Sequence, residues 1–297
     1  MSERVPRGAQ APRKSKVARL RELLAGPSPV RAVGAHDGLT AKLVEQAGFD
    51  AVWASSFEIS ASHGLPDASL VTMTQYLEAA TAMDAVTEFP VIADCDTGFG
   101  GPMNVAYAVQ RYVRTGIAAM CIEDKLFPKI NSFADAPQDL LPAEEFALKI
   151  KTAREALGDA DMALIARTES LIAGHDLEEA LYRGRLYAAA GADAVLVHSK
   201  SRRPDEVLEF ASKWDLDVPL VAVPTTYGTV SEQELYEAGF RLVIYANQGL
   251  RAAVRGVQEA LRELSAARTA ASVDGRIASM SEVFALQGMP SGYRTAP

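Results

Sequence analysis

The chain has 297 residues, 48% hydrophobic and 23% charged, which is typical of a globular α/β protein rather than a disordered chain. Its net charge of −8 argues against nucleic acid as the main partner, because a phosphate backbone requires a basic surface. The two cysteines lie in apolar runs, and no run approaches the ~20 residues of a membrane span, so we expect a cytoplasmic protein without disulfides or membrane contact.

The chain begins with a basic segment that contains two prolines. This composition predicts a flexible tail over residues 1–15. A helix is predicted at about Lys16–Leu24. We expect residues 16–297 to form a single domain, because no linker interrupts them.

From about residue 30 onward, short apolar runs alternate with loops and amphipathic stretches. Eight runs predict strands: Val30–Ala35, Ala51–Ser55, Val91–Asp96, Ala118–Asp124, Ala163–Arg167, Ala194–His198, Leu220–Pro224 and Leu242–Asn247. Helical periodicity is clear in Asn104–Arg114, Glu144–Leu157, Leu177–Ala190 and Leu250–Leu264. Eight strand–helix units in this length favour a (β/α)8 barrel of the TIM type.

Two further features bear on the fold. The loop after the first strand, Gly34–Gly38, does not match the glycine pattern of a dinucleotide-binding sheet. The apolar segment Met280–Leu286 follows the completed barrel and predicts a C-terminal helical extension.

Polar residues gather where the predicted strands end. They form the groups Asp94–Gly98, Glu123–Lys125, Arg167–Glu169 and His198–Lys200, with Asn247 after the last strand. Barrel enzymes carry their chemistry on the carboxyl ends of the strands, so this distribution predicts an active site there.

The acids among them predict a metal site. Asp94 and Asp96 lie two residues apart in a predicted strand, so their side chains would point the same way, towards Glu123 on the neighbouring strand. Such a cluster of like charges favours a cation, and oxygen ligands favour Mg²⁺. The alternative is a set of salt bridges to nearby lysine and arginine side chains.

The segment after the fourth strand offers Lys125, Lys129, Asn131 and Ser132, which suit a phosphoryl group or a carboxylate. The alternative is a solvated surface loop. His198 closes the sixth strand, where it is either a hydrogen-bonded core residue or a catalytic one.

Several motifs resemble the phosphoenolpyruvate mutase family of the isocitrate lyase superfamily. They are Trp53-Ala54-Ser55, Ile59-Ser60-Ala61-Ser62, Asp94-Cys95-Asp96-Thr97-Gly98-Phe99-Gly100 and the E-D-K-x₅-N-S run that ends at Asn131-Ser132. The resemblance covers roughly Val30 to Ala253. It implies the Mg²⁺-dependent conversion of phosphoenolpyruvate to phosphonopyruvate, an isomerisation that forms a carbon–phosphorus bond in phosphonate biosynthesis.

The resemblance also implies roles for individual residues. Asp94 would bind Mg²⁺, with Asp67, Asp96 and Glu123 acting largely through water. The phosphoryl and pyruvyl groups would be held by Trp53, Ser55, Ser56, Phe57, Lys129, Asn131, Ser132, Arg167 and His198. The loop from about Lys125 to Ala134 would close over the substrate, and the protein would be a dimer of dimers that exchange a C-terminal helix.

Relatives of this family leave alternatives open. The carbon–carbon lyases carry K-K-C-G-H in this loop, which the present chain lacks. Phosphonopyruvate hydrolase is similar at Phe57-Glu58 but has Thr in place of Asn131, so Asn131 favours the mutase. Ser56 stands where the family commonly has Gly, which leaves open a related 2-oxo acid such as carboxyphosphoenolpyruvate as the substrate.

Overall fold

The computed structural model describes residues 15–290. Eight parallel strands, β1 to β8, pair in chain order, and β1 also pairs with β8, so the sheet closes into a barrel. The strands are Val30–Ala35, Ala51–Ala54, Val91–Asp94, Ala119–Glu123, Ala163–Thr168, Ala194–Val197, Leu220–Ala222 and Phe240–Tyr245. The predicted (β/α)8 fold is confirmed.

Helices connect the strands and surround the barrel. Helices α1 to α11 are Lys16–Leu24, Gly38–Gln46, Ser56–Ser62, Met73–Val86, Pro102–Val113, Ala143–Leu157, Leu177–Ala189, Asp205–Ser212, Glu232–Glu237, Gln248–Ala267 and Met280–Gln287. Those predicted from periodicity lie within three residues of their expected bounds. None of the helices in residues 15–290 is long and apolar enough to cross a membrane.

The structure describes only part of the two ends of the chain. Of the predicted flexible tail, residues 1–14 lie outside the described part. Ser15 caps α1, since its Oγ accepts a hydrogen bond from Ala18 N at 3.1 Å. Leu20 of α1 is fully buried against the inner core and covers the amino end of the barrel. Residues 291–297 also lie outside the described part, so the single domain over 16–297 stays a prediction.

Alternation along the strands divides the core into two layers. Ile92 of β3, Cys121 of β4 and Ile165 of β5 pack inside the barrel. Their neighbours, such as Met120 and Ala166, pack outward against the helices. Because strand side chains alternate, the residue two positions after each of these inner residues also faces inward, at the carboxyl end of its strand. That rule places Asp94, Glu123 and Arg167 at the mouth of the barrel.

Several predicted strands extend too far at the carboxyl end, and one of these errors affects the site. β3 ends at Asp94, and Asp96 adopts a φ of +49°, in the left-handed region. The expectation that Asp94 and Asp96 share a strand face is therefore wrong, because the chain turns between them. Cys95 packs in the outer layer, facing away from the mouth.

Candidate active site

A cavity of about 350 Å³ lies at the carboxyl ends of the strands. Eleven of the thirteen predicted site residues line it: Trp53, Ser55, Ser56, Phe57, Asp67, Asp94, Lys129, Asn131, Ser132, Arg167 and His198. Asp96 and Glu123 are buried but do not line the cavity. The structure thus brings residues from well-separated parts of the sequence to one end of the barrel.

Lys129 lies among buried acids. Its Nζ is 2.9 Å from Asp67 Oδ1 and 3.0 Å from Asp96 Oδ1, and it donates to Ser56 Oγ at 3.4 Å. Burial by itself would lower the pKa of Lys129, but the surrounding carboxylates raise it well above its ordinary value. The lysine therefore remains charged and supplies a fixed cation beside the cavity.

Asp67 reaches the site from the loop between α3 and α4, and it joins this loop to the segment after β4. Asp67 Oδ2 accepts hydrogen bonds from Asn131 Nδ2 at 2.7 Å and from Lys129 Nζ at 3.0 Å. Burial would raise the pKa of Asp67, but Lys129 and Asn131 hold it below its ordinary value. Asn131 Oδ1 accepts from Phe133 N at 3.0 Å, which fixes the orientation of the amide.

Asp94 is the acid of the predicted metal set that faces the cavity. Ser56 Oγ donates to Asp94 Oδ2 at 2.8 Å, and the backbone N–H of Asp96 donates to Asp94 Oδ1 at 3.3 Å. Since Ser56 also accepts from Lys129, its hydroxyl joins the acid to the lysine. A glycine at this position would supply neither contact.

Behind the cavity wall lie two further buried carboxylates, those of Asp96 and Glu123. Burial raises the pKa of Asp96 to about 6 and that of Glu123 to about 7, although Lys129 and Arg167 offset part of the effect. Asp96 Oδ1 is paired with Lys129 Nζ at 3.0 Å, whereas Glu123 Oε1 is buried and accepts no hydrogen bond from the described residues. Such oxygen atoms suit a hard cation or the water molecules that it carries.

Some of the salt bridges that were the alternative to a metal site are also present. Lys129 pairs with two of the acids, and Arg167 Nε lies 3.3 Å from Glu123 Oε2. As they stand, no three acidic, histidine or cysteine side chains within residues 15–290 are grouped so as to hold a metal ion. The Asp94 carboxylate at the cavity and the unpartnered Glu123 Oε1 are nevertheless oxygen donors of the kind that suit Mg²⁺. Mg²⁺ at Asp94, with Asp96 and Glu123 acting through water, stays a prediction.

A second charged group is centred on Glu169, and Arg167 joins it to Glu123. Arg167 Nε donates to Glu169 Oε1 at 2.5 Å, and His198 Nδ1 lies 2.7 Å from the same oxygen. Burial would raise the pKa of Glu169, but Arg167, His198 and Lys125 hold it well below its ordinary value. Burial lowers the pKa of His198, with further lowering by Arg167 and Lys125, although Glu169 opposes the effect.

The loop over residues 125–134, which we call the gate loop, is held from several sides. Lys125 Nζ donates to Ile130 O at 2.8 Å and to Ser132 Oγ at 2.9 Å, and Ser132 donates to Glu169 in a short hydrogen bond. The loop also carries two exposed aromatic side chains: Phe127 is 50% exposed, and Phe133, which lines the cavity, is 44% exposed. Exposed aromatic groups on a loop beside a cavity are suited to covering a bound ligand.

Some residues of the site were not predicted. Glu169 lies at the end of a predicted strand, but its position in the sequence indicates no role. Phe133, Val223 and Thr225 line the cavity. The inward alternation of β7, through Val221 and Val223, could have indicated Thr225. Nothing in the sequence indicates that Phe133 meets the ring of His198 edge to face, with the centroids 5.5 Å apart.

The family model described as phosphoenolpyruvate phosphomutase matches residues 20–265. A crystal structure of phosphoenolpyruvate phosphomutase from Streptomyces platensis subsp. rosaceus is 50% identical, with a TM-score of 0.90, over 92% of this chain and 95% of that one. Phosphonopyruvate hydrolase from Variovorax sp. (strain Pal2) is 44% identical over 86% of this chain and 89% of that protein. A crystal structure of phosphonopyruvate hydrolase in complex with oxalate and Mg²⁺ is 42% identical, with a TM-score of 0.87, over 93% and 95% of the two chains.

Proposed function

The chain belongs to the phosphoenolpyruvate phosphomutase family, as its motifs predicted, and from that premise we propose that it interconverts phosphoenolpyruvate and phosphonopyruvate. In the reaction the phosphorus–oxygen bond of phosphoenolpyruvate breaks and a phosphorus–carbon bond forms within the same molecule, so no water is consumed. The product would enter phosphonate biosynthesis.

The observation that carries this choice is the position of Asn131. Its side chain lines the cavity and is held by Asp67 and by the backbone of Phe133. The amide nitrogen has two hydrogens, and Asp67 occupies one of them, so the second is available to a phosphoryl oxygen. An amide fixed in this way would retain the phosphoryl group while the enolate presents carbon instead of oxygen.

The charges around the cavity suit phosphoryl transfer. A loose, metaphosphate-like transition state depends on positioning and charge stabilisation more than on a strong nucleophile. Lys129, which is buried, and Arg167, which is partly buried, are both charged and would hold the phosphoryl oxygens. Closure of the gate loop would exclude water, which could otherwise capture the phosphoryl group.

We assign Mg²⁺ to Asp94, with Asp96 and Glu123 behind it. When bound, Mg²⁺ would supply charge stabilisation to the enolate oxygen and carboxylate of pyruvate. The relative that was crystallised with oxalate and Mg²⁺ supports the choice of Mg²⁺ as the metal. Ser56, which donates to Asp94, would keep that carboxylate turned towards the cavity.

The second candidate is phosphonopyruvate hydrolase, because a hydrolase is 44% identical to this chain and Phe57-Glu58 resembles that enzyme. In that reaction water would attack phosphorus and release phosphate and pyruvate. A related substrate such as carboxyphosphoenolpyruvate is a further alternative, because the hydroxyl of Ser56 narrows the end of the cavity near Asp94.

We further propose that the protein is a homo-oligomer, a dimer of dimers that exchange a C-terminal helix. Helix α10 has no buried residue in the isolated chain, and its apolar face includes Val257 and Leu261, which are 58% and 60% exposed. A 20-residue helix with such a face needs a partner surface to be stable in water.

A phosphorus NMR time course tests the proposed reaction. Phosphonopyruvate is incubated with the protein and Mg²⁺, and the phosphoenolpyruvate, phosphate and phosphonopyruvate signals are followed together. The expected product is phosphoenolpyruvate. If phosphate is the main product, the protein is a hydrolase and the mutase proposal is wrong. If phosphonopyruvate does not react, the carboxylated substrate is tested next.

A further inference from the structure

Glu169 is a buried carboxylate that the proposed reaction does not use. It follows Thr168, the last residue of β5, and its side chain is fully buried. A charge in this position is costly unless it is paired.

Four donors meet on this one carboxylate. Oε1 accepts from Arg167 Nε at 2.5 Å and lies 2.7 Å from His198 Nδ1. Oε2 accepts from Ser132 Oγ and lies 3.4 Å from Lys125 Nζ. Glu169 therefore joins two side chains that line the cavity to two residues of the gate loop.

Two groups compete for Nδ1 of His198. Glu169 Oε1 lies at 2.7 Å and Arg167 Nη2 at 2.8 Å, so Nδ1 cannot satisfy both. An ionised carboxylate can only accept hydrogen bonds. If Nδ1 carried no proton, its lone pair would therefore face a lone pair of Glu169 Oε1. Arg167 Nη2 has another acceptor, Ser132 Oγ at 3.3 Å. The proton therefore resides on Nδ1 and is donated to Glu169.

This assignment determines what His198 presents to a ligand. His198 lines the cavity, and its Nε2 is buried with no hydrogen-bond partner among residues 15–290. With the proton on Nδ1, a neutral ring offers a lone pair at Nε2. A phosphoryl or carboxyl oxygen can then bind there only with a proton between the two atoms.

We propose that Glu169 is a positioning residue that holds His198 in the Nδ1–H tautomer and fixes Arg167 and the gate loop around the phosphoryl site. It touches no reacting atom and acts through the side chains that it orders. The kinetic part of this proposal rests on the proposed function, whereas the tautomer does not depend on which reaction occurs.

The tautomer is measured first, on the wild-type protein without substrate. The chain has four histidines, so the imidazole nitrogens of a ¹⁵N-histidine-labelled sample can be resolved, and His198→Gln assigns the signals of the site. The expected spectrum has a protonated Nδ1 and a bare Nε2 at His198. A bare Nδ1 with a protonated Nε2 overturns the proposal, and this outcome requires no variant of Glu169.

Glu169→Gln then tests the role in turnover. A glutamine keeps the shape but has one acceptor oxygen for four donors, so Arg167 should turn to Nδ1 and the Nε2–H form should increase. The rate of phosphonopyruvate loss, expressed as kcat/KM, should fall about 10- to 100-fold, the usual effect of removing such a supporting partner. Following substrate loss separates this result from the question of which product forms.

The matched control is Asp193→Asn. Asp193 is also a paired carboxylate, bound to Arg154 Nη2 and to the backbone N–H of Leu164, but it lies next to the amino ends of β5 and β6. This variant should retain the wild-type tautomer and kcat/KM. If Glu169→Gln also retains both, Glu169 is a structural residue and the proposal is wrong.

Discussion

Replacing Asn131 with alanine perturbs the proposed reaction most directly. The change removes the hydrogen bond from Nδ2 to Asp67 at 2.7 Å and the one that Oδ1 accepts from Phe133 N at 3.0 Å. It also removes the second amide hydrogen that we assign to a phosphoryl oxygen. The fold should survive, because Asn131 is only partly buried and lies in a loop.

The magnitude follows from these contacts. Two hydrogen bonds at about 1 kcal/mol each would lower the free energy of unfolding by ~2 kcal/mol. If the amide also donates to charge that develops in the transition state, kcat for phosphoenolpyruvate formation should fall by about 10²-fold or more. Phosphate release should rise relative to phosphoenolpyruvate formation, because the space of the amide becomes open to water.

The assay is the ratio of phosphoenolpyruvate to phosphate formed from phosphonopyruvate at one Mg²⁺ concentration, for wild type and Asn131→Ala. The control is Gln138→Ala. Gln138 Nε2 donates to the backbone of the gate loop, at Asn131 O among others, yet its side chain does not line the cavity. If the two variants lose both products in equal proportion, Asn131 only orders the loop and the reasoning fails.

Three further predictions concern the metal, the assembly and the pH dependence of stability. Asp94→Ala should abolish turnover while circular dichroism and thermal unfolding still report a folded barrel, and full activity of wild type in excess EDTA would contradict the metal site. Leu261→Asp, on the exposed apolar face of α10, should shift the mass measured by light scattering towards a single chain; a monomeric wild type at micromolar concentration would contradict the assembly. The Glu58 carboxylate raises the pKa of His36 above 6.5, despite burial, so the stability gained from this pair is fully present below pH 6.5 and is lost as the pH rises through the folded pKa. Urea unfolding of wild type and Glu58→Gln across this range should therefore give a stability difference that shrinks as the pH rises, and a constant difference would contradict the pair.

Much of the fold could be predicted because it depends on local patterns. Apolar runs of five to seven residues, separated by helical periodicity, define the strands of a parallel barrel, and a barrel of this kind places its strand ends at one mouth. Asp94, Glu123, Arg167 and His198 could be placed there from their positions at the ends of strands. The motif around Asn131 then indicated the family, which the comparisons support.

Other features depend on contacts between distant segments, which no local pattern records. Asp67 lies in a loop between two helices, and only the folded chain places it 2.9 Å from Lys129. The side chain of Asp96 was expected to point the same way as that of Asp94 because residues alternate along a strand. The φ of +49° at Asp96 ends the strand, so this alternation does not apply. Local periodicity determines which residues reach the mouth of the barrel, whereas packing among the loops determines which of them touch.

The difference between what the local sequence determines and what the tertiary structure determines is clearest at Glu169 and His198. From the sequence, each is a polar residue that follows an apolar strand, and a histidine in that position is as often structural as catalytic. In the folded barrel the carboxylate is fully buried against the imidazole, Arg167 and the gate loop. The sequence determined that the barrel mouth would be charged. The tertiary structure decided how those charges pair, because pairing depends on distances of about 3 Å between side chains that are far apart in the chain.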